Sequence, residues 1–344
     1  MNYLSERINL LAESETLAMT RRSRELRAQG FDVINLSIGE PDFNTPEYVK
    51  EAAKDAIDQN YSHYTPVPGY PELRQAIANK LKRDNGLDYT AEQIVVSTGA
   101  KQSLANAILC LVNVGEEVLI PAPYWVSYKE IIKLAGAKGV FIEGNINTDF
   151  KVTPEQIEAA ITPETKLFIF SSPCNPSGTV YSFDELKAFA EVFERHPQVF
   201  IISDEIYENI NFVGKHYSIA SFGSIYDRVI VINGLSKGFA MTGWRLGYMA
   251  ANKVIAKACD KLQGQITSGA CSITQRAALA AMATDPAESD DIKRMVDAFK
   301  YRRDLAISML REIPGIRINV PDGAFYLFPD VTAYFGKSFG ERVI

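Results

Sequence analysis

Residues 229–249 read VIVINGLSKGFAMTGWRLGYM, and their interpretation decides the fold. Val229 to Asn233 form a continuous, β-branched apolar run, the pattern of a strand buried on both faces. Gly234 breaks the run, and Lys237 follows between Ser236 and Gly238. An ammonium delivered by a buried strand into the company of Phe239, Ala240, Met241 and Trp244 is partly desolvated. Desolvation lowers a lysine pKa and frees the amine to attack carbonyls as a Schiff-base former. Further on, Arg245 lies between Gly243 and Gly247, where the glycines let an anion approach the guanidinium closely. Taken alone, the stretch reads equally well as a surface-loop lysine and a structural arginine. The rest of the chain has to decide.

Outward from this stretch, apolar strands alternate with helical segments across residues 46–250. Strands are predicted at 94–97, 117–120, 139–142, 166–170, 199–203, 228–233 and 246–250, with helices between most of them. This alternation specifies an α/β fold with a largely parallel sheet, in which ligands gather at the carboxyl ends of strands. The polar motifs sit there. Ile94 to Ser97 runs into Thr98, Gly99, Ala100 and Lys101, a small-residue turn opening a helix, which offers backbone N–H groups to a phosphate. The strand ending at Phe170 precedes Asn175 in NPSG, and the strand ending at Ser203 precedes Asp204 and Tyr207.

Residues 4–29 carry a helical pattern, followed by a short strand at 33–36 and the turn GEPDF, whose Gly39 can bring backbone close to a ligand. Thr45 is placed as the N-cap of the next helix, with Pro46 at its first position. After residue 252 the chain turns helical, ending in a long helix over 287–312 without glycine or proline. Residues 316–320 and 324–328 read as strands of a smaller domain, and the chain stops within a pattern read as helical.

Composition narrows the function classes. The 344 residues are 47% hydrophobic and 23% charged, ordinary for a globular protein, and long enough for two domains. Lys+Arg 36 against Asp+Glu 42 gives a net charge of −6 without a basic tract, which argues against nucleic acid as a partner. Apolar runs are strand-sized and too short to span a bilayer. The four cysteines and three histidines show no metal spacing, so no metal site is expected. Reduced thiols and the absence of a signal-peptide pattern point to the cytoplasm.

Several residues then acquire a joint reading. A buried Asp204 within reach of a lysine imine could pair with a pyridinium N–H, making pyridoxal phosphate a better electron sink. Tyr207 and Asn175 could donate to a ring oxygen, and Trp125 is a flat plate for stacking. Singly, Asp204 could be a helix cap, Asn175 a turn residue and Trp125 part of the core. In this order and company, the structural explanation of all of them weakens.

The chain resembles the class I pyridoxal-phosphate aminotransferases of fold type I, from GEPDF (39–43) to GAFY (323–326), with YTPVPGYPELR, NPSG, SDEIY and SKGFAMTGWRLGY between. The resemblance implies a large domain over 46–285 with a mostly parallel seven-stranded sheet between helices. A smaller α+β domain would be made of 1–45 and 286–344. It implies that Lys237 holds pyridoxal 5'-phosphate covalently and moves the substrate Cα proton, and that Asp204 pairs with the pyridine nitrogen. Tyr207 and Asn175 would bond the ring's phenolic oxygen and Trp125 would stack. Arg245, Ser236, the Gly99–Ala100 backbone and Tyr64 of a partner subunit would hold the phosphate in a homodimer with shared sites. Gly39, Lys101, Trp125, Asn175 and Thr16 are the implied substrate contacts.

Two departures stand out. Where the family often has serine or threonine three residues before the lysine, this chain has Gly234. Family members also usually continue past this point with an arginine that clamps the substrate α-carboxylate. Arg342 is not in the matching motif, so the sequence is read as part of a longer protein. Lys101 resembles a lysine used for the distal carboxylate in a bacterial aspartate-specific subgroup; its alternatives are phosphate binding or solvent. The resulting expectation is transamination from aspartate to 2-oxoglutarate. The alternatives are prephenate or another acidic or aromatic substrate, a lyase of the same fold, or a catalytically silent cofactor-binding regulator.

Overall fold

A computed structural model describes residues 3–13, 15–339 and 342–343. Eleven α-helices are described: α1 Glu6–Asn9, α2 Glu15–Ala28, α3 Glu47–Asp58, α4 Pro71–Lys80, α5 Ala100–Leu111, α6 Ser127–Leu134, α7 Pro154–Ala160, α8 Phe183–Arg195, α9 Lys253–Ile266, α10 Ser272–Ala283 and α11 Asp290–Arg311. Seven strands form the main sheet: β1 Ile94–Ser97, β2 Glu117–Ala122, β3 Lys138–Glu143, β4 Thr165–Ser171, β5 Phe200–Asp204, β6 Val229–Gly234 and β7 Gly247–Ala250, in the order β1-β7-β6-β5-β4-β2-β3. β7 runs antiparallel to both β1 and β6, while the other pairs are parallel. The expected mostly parallel seven-stranded sheet is present. Among the described residues, no helix is long and apolar enough to cross a membrane.

Side-chain alternation explains why the strands read as unbroken apolar runs. Val229 and Val231 enter one core with Phe168, Ile201 and Phe189, whereas Ile230 and Ile232 enter the other with Ile169, Ile202 and Leu104. Both faces of β6 are therefore sealed, and each such Val or Ile contributes roughly 1.5–3 kcal/mol by burial. This double seal gives β6 a rigid end from which Lys237 projects. By the same alternation, Ser203 and Glu205 share the face of Ile201, and Asp204 shares the face of Ile202.

Several local expectations change. The 4–29 helix is broken between α1 and α2, where the Ala12 amide donates to Glu130 of α6 at 2.8 Å. Residues 33–36 are not a strand. No described strand pairs with them; the Val33 carbonyl accepts Arg27 at 2.7 Å instead, Ile34 and Leu36 stand 83% and 91% exposed, and Asn35 folds its side chain onto the Ser37 amide. Thr45 does not cap α3; its hydroxyl donates to the Ala240 carbonyl at 2.9 Å, tying this junction to the loop after Lys237. The long helix starts at Asp290, where Ser289 accepts the Ile292 amide.

Nor are 316–320 and 324–328 strands, since only single bridges occur, Arg317 with Asp330 and Asn211 with Gly323. Ala324 takes a left-handed φ of 57°, and its amide donates to the Ile210 carbonyl at 2.8 Å instead of to a ladder. The segment is thereby sewn onto the turn after Tyr207. Among the described residues near the end of the chain, two-residue strands β8 Ser338–Phe339 and β9 Arg342–Val343 pair in place of the expected helix.

Candidate active site

Lys237 leaves the end of β6 half-buried, with its ammonium 5.7 Å from the Tyr207 ring centroid and 5.4 Å from that of Phe325. Burial lowers its pKa to about 8, with Arg245 acting in the same direction and Glu40 and Asp204 opposing. Its Nζ donates to the Gly39 carbonyl at 2.5 Å. That contact needs glycine at 39, because a Cβ there would run into the Tyr326 hydroxyl and lie 2.9 Å from two Tyr326 ring carbons. The GEPDF turn is anchored on α11, where Arg302 donates to Asp42 at 2.6 Å and Phe43 packs edge-on against Phe299. Glu40 accepts the Thr242 hydroxyl at 3.0 Å. The turn and the lysine loop are thus joined at several points.

Asp204 ends β5 and is buried. The Tyr128 hydroxyl donates to Oδ2 at 2.7 Å and the Ile206 amide to Oδ1 at 3.3 Å; among the described residues no cation pairs with it. Burial pushes its carboxyl up to about 6 despite those two donors. Tyr207, also buried, meets the Tyr326 hydroxyl at 2.5 Å. Burial, with Tyr326 next, pushes the Tyr207 phenol well above its ordinary range, while a hydrogen bond with Asn175 works against that. Asn175 lines a small cleft with Tyr124, Tyr128 and Cys174.

At the opposite wall, α5 starts immediately after Gly99. A Cβ at 99 would stand 2.6 Å from Arg245 Nη2, so the guanidinium lies directly on the backbone that opens the helix. Arg245 donates to the Thr242 carbonyl at 2.9 Å and adopts a left-handed φ of 55°. Lys101 holds its ammonium 4.8 Å from the Trp125 ring centroid, and Trp125 meets Tyr128 edge-on. Loss of hydration, then the charge of Arg245, lowers the Lys101 pKa. Two cations and the start of a helix therefore share one wall, an arrangement suited to anions. At Gly234 the structure supplies a reason for the departure from serine or threonine: a Cβ there would stand 2.8 Å from Gly247 Cα on β7.

Not every predicted residue joins this cluster. Ser236 is buried beside Lys237. Tyr64 is 98% exposed. Thr16 lies on α2, where its carbonyl accepts Thr20 Oγ1 at 2.8 Å, and the described hydrogen bonds leave it unconnected to the lysine. Sequence reasoning missed Tyr128 and Tyr326. Tyr326 was within the quoted GAFY motif, and Tyr128 follows Trp125 by three, the spacing of neighbours on a helix.

It also missed a grouping on the other face. Glu205, Glu208 and His216 bring one ligating atom each within 4.8 Å of one another. The carboxylate oxygens are committed to partners, Ser203, Ser218 and His216 on Glu205 and Lys80 and Asn85 on Glu208, while His216 Nδ1 is buried with no hydrogen-bond partner among the described residues.

Comparison with known proteins follows the same lines. The family described as aminotransferase class I and II matches residues 32–341. The chain is 48% identical over 340 residues to an aspartate/prephenate aminotransferase of Cereibacter sphaeroides, covering 98% of this chain and 84% of the relative. It is 44% identical over 329 residues to an aspartate aminotransferase of Bacillus subtilis, covering 95% and 83%. Among solved structures, the aspartate aminotransferase of Thermus thermophilus with maleate superposes with a TM-score of 0.93 at 39% identity, covering 97% and 86%.

Proposed function

Since the chain belongs to the class I and II aminotransferases, we propose that it moves the amino group of aspartate to 2-oxoglutarate with pyridoxal 5'-phosphate, giving oxaloacetate and glutamate. The observation that carries this reading is the pairing of an amine at about 8 with a buried carboxylate that lacks a cation, beside a wall holding two cations. The residues present fit the cofactor. Asp204 wants a cationic N–H, and the Gly99 surface under Arg245 is a cradle that any side chain at 99 would fill.

In this reading, bound pyridoxal phosphate supplies an electron sink for the pair left when substrate Cα loses its proton. Lys237 would hold the cofactor, and its amine would move the proton at substrate Cα. A pKa near 8 leaves a fraction of the amine unprotonated at neutral pH, as a nucleophile and base require. Asp204 binds the pyridine nitrogen, and Tyr207 and Asn175 hold the ring oxygen. Trp125 would stack on the ring. Arg245, Ser236 and the Gly99–Ala100 amides bind the phosphate. Exposed Tyr64 reaches the partner's phosphate in a cytoplasmic homodimer. Lys101 and the Gly39 region meet the substrate, with Thr16 at the mouth of the site. Residues 46–285 act as the cofactor-binding unit, and 1–45 with 286–344 as the smaller one.

Dicarboxylate preference is supported by Lys101 and by the maleate of the Thermus relative, itself a dicarboxylate. The Cereibacter relative's name makes prephenate, another dicarboxylate, the second reading. The test is absorbance of the cofactor-loaded, full-length protein. Aspartate should shift the visible band into the ultraviolet, and 2-oxoglutarate should restore it. A band that aspartate leaves unmoved overturns the reading. Restoration by prephenate as rapid as by 2-oxoglutarate supports the second.

A further inference from the structure

The phenol that meets Tyr207, Tyr326, has no role in the reading above. We propose that Tyr326 is a positioning residue for Tyr207: its hydroxyl donates to the Tyr207 oxygen and leaves the single Tyr207 proton free to face the cofactor's ring oxygen. The proposal rests on the pyridoxal-phosphate reading.

The two oxygens lie 2.5 Å apart and the rings meet edge-on at 79°, so the contact is a hydrogen bond and not incidental packing. Burial pushes both phenols up, Tyr326 to about 12, so both stay protonated at neutral pH. Two hydroxyls then share two protons, and one proton lies between the oxygens. If Tyr207 donated it, Tyr207 would have none to give a ligand. Donation by Tyr326 removes that conflict and also polarises the Tyr207 O–H, strengthening its outward bond.

The surroundings hold Tyr326 in place. Its hydroxyl abuts Gly39, where a side chain would collide with it, and the Gly39 carbonyl accepts Lys237 Nζ. Two residues earlier, the Ala324 amide bonds to the Ile210 carbonyl, and the Ile210 amide bonds to the Tyr207 carbonyl at 2.8 Å. The backbones of the two tyrosines are therefore linked. The charged groups facing the pair are Lys237, above the Tyr207 ring, and Asp204. Neither is altered in the test.

The readout is the pH midpoint of the visible absorbance band in the cofactor-loaded protein, which reports the proton on Lys237 Nζ in its linkage to the cofactor. A donor on the ring oxygen competes for the lone pairs that hold that proton, so losing donor strength raises the midpoint. Four proteins are compared: wild type, Tyr326→Phe, Tyr207→Phe and the double variant. Tyr326→Phe should raise the midpoint by about half a unit or more, in the direction of Tyr207→Phe, and weaken cofactor binding by roughly fivefold. In the Tyr207→Phe background the same change should add nothing. A Tyr326→Phe midpoint unchanged from wild type overturns the proposal. So does a shift in the second background more than half as large as in the first, because Tyr326 would then act without Tyr207. Wild-type protein that forms no visible band overturns the cofactor reading itself, a failure distinct from either of those.

Discussion

The end of β5 sends carboxylates to both faces of the sheet, and the two faces treat them differently. Below, Glu208 is buried yet its pKa is held low, because Lys80 and His216 overcome the penalty of burial and Asn85 adds a hydrogen bond. Glu205 beside it accepts from Ser203 at 2.8 Å and Ser218 at 2.5 Å, and meets His216 at 3.1 Å. Burial disfavours the His216 cation, but Glu205 and Glu208 outweigh it and the imidazole is pushed above its ordinary value. Above, Asp204 receives one phenol and one amide, and burial wins. One face has cations in contact with its carboxylates; the other has only the more distant charge of Lys237, and leaves room for a cation from outside. Burial alone does not mark a functional carboxylate. Burial with no cation in contact does.

The comparison breaks most severely if the lower face loses its cation. Lys80→Met leaves Glu208 buried without its ion-pair partner, with only the Asn85 hydrogen bond and the charge of His216 to hold it, which costs roughly 3–5 kcal/mol of folding stability. Urea denaturation at pH 7 reads this directly, and adding Glu208→Gln should return most of it. A depressed carboxylate pKa contributes stability that is present above the unfolded value and lost as pH falls. The wild type should therefore lose this contribution on acidification, and Lys80→Met should have little left to lose. A Lys80→Met protein as stable as wild type would mean that Glu208 is not held by that ion pair.

Asp204→Asn tests the upper face, and the sign reverses. A carboxyl raised from 3.8 to about 6 binds its proton more tightly in the folded state. The stability it contributes is full below the unfolded pKa and is lost as pH rises from about 4 to about 6. Without cofactor, Asp204→Asn should therefore be more stable than wild type at pH 7, by at most about 3 kcal/mol. The same variant should slow exchange of the substrate α-proton by roughly a hundredfold, because the pyridine nitrogen loses its anion. Greater stability with lower activity would identify Asp204 as a residue kept for a ligand. Lower stability in the cofactor-free protein would place it with the structural carboxylates below.

Much of the upper face was legible locally. β6, Lys237 and Arg245 lie within one stretch of sequence, and continuous β-branched runs announce strands buried on both sides. Lys80 and Glu208 are 128 residues apart, and no periodicity relates them. Tyr128 reaches Asp204 across a separation of 76, equally silent in the sequence. Residues 316–328 misled for another reason. The spacing of Ile316, Ile318 and Val320 imitates a strand, yet only Arg317 bridges there, to Asp330, and residues 322–324 bond to Gly178 and Ile210. Hydrophobic spacing records which side chains are covered; it does not record which backbone they bond to. Gly39 shows a third limit. Its proximity to a ligand was foreseen, but the close approach of Tyr326 that demands glycine comes from a residue 287 positions later, by the difference between 326 and 39.

The smallest expected effect concerns the far wall of the upper face. Lys101 is drawn between two anionic guests, the cofactor phosphate and the distal carboxylate of a substrate, and its position over Trp125 is compatible with both. Loss of hydration, then the charge of Arg245, lowers its pKa, so its charge is costly there until an anion arrives. If that anion is the substrate, Lys101→Ala should reduce kcat/KM for aspartate by roughly tenfold, the scale of one charge-assisted hydrogen bond. Alanine, with no distal carboxylate, should be little affected, and cofactor affinity should hold. If the anion is the phosphate, aspartate and alanine should fall together and the cofactor should dissociate more readily. The ratio of the two kcat/KM values, measured beside cofactor affinity in one variant, therefore assigns this lysine. It also decides whether the cationic wall selects the substrate or only retains the cofactor.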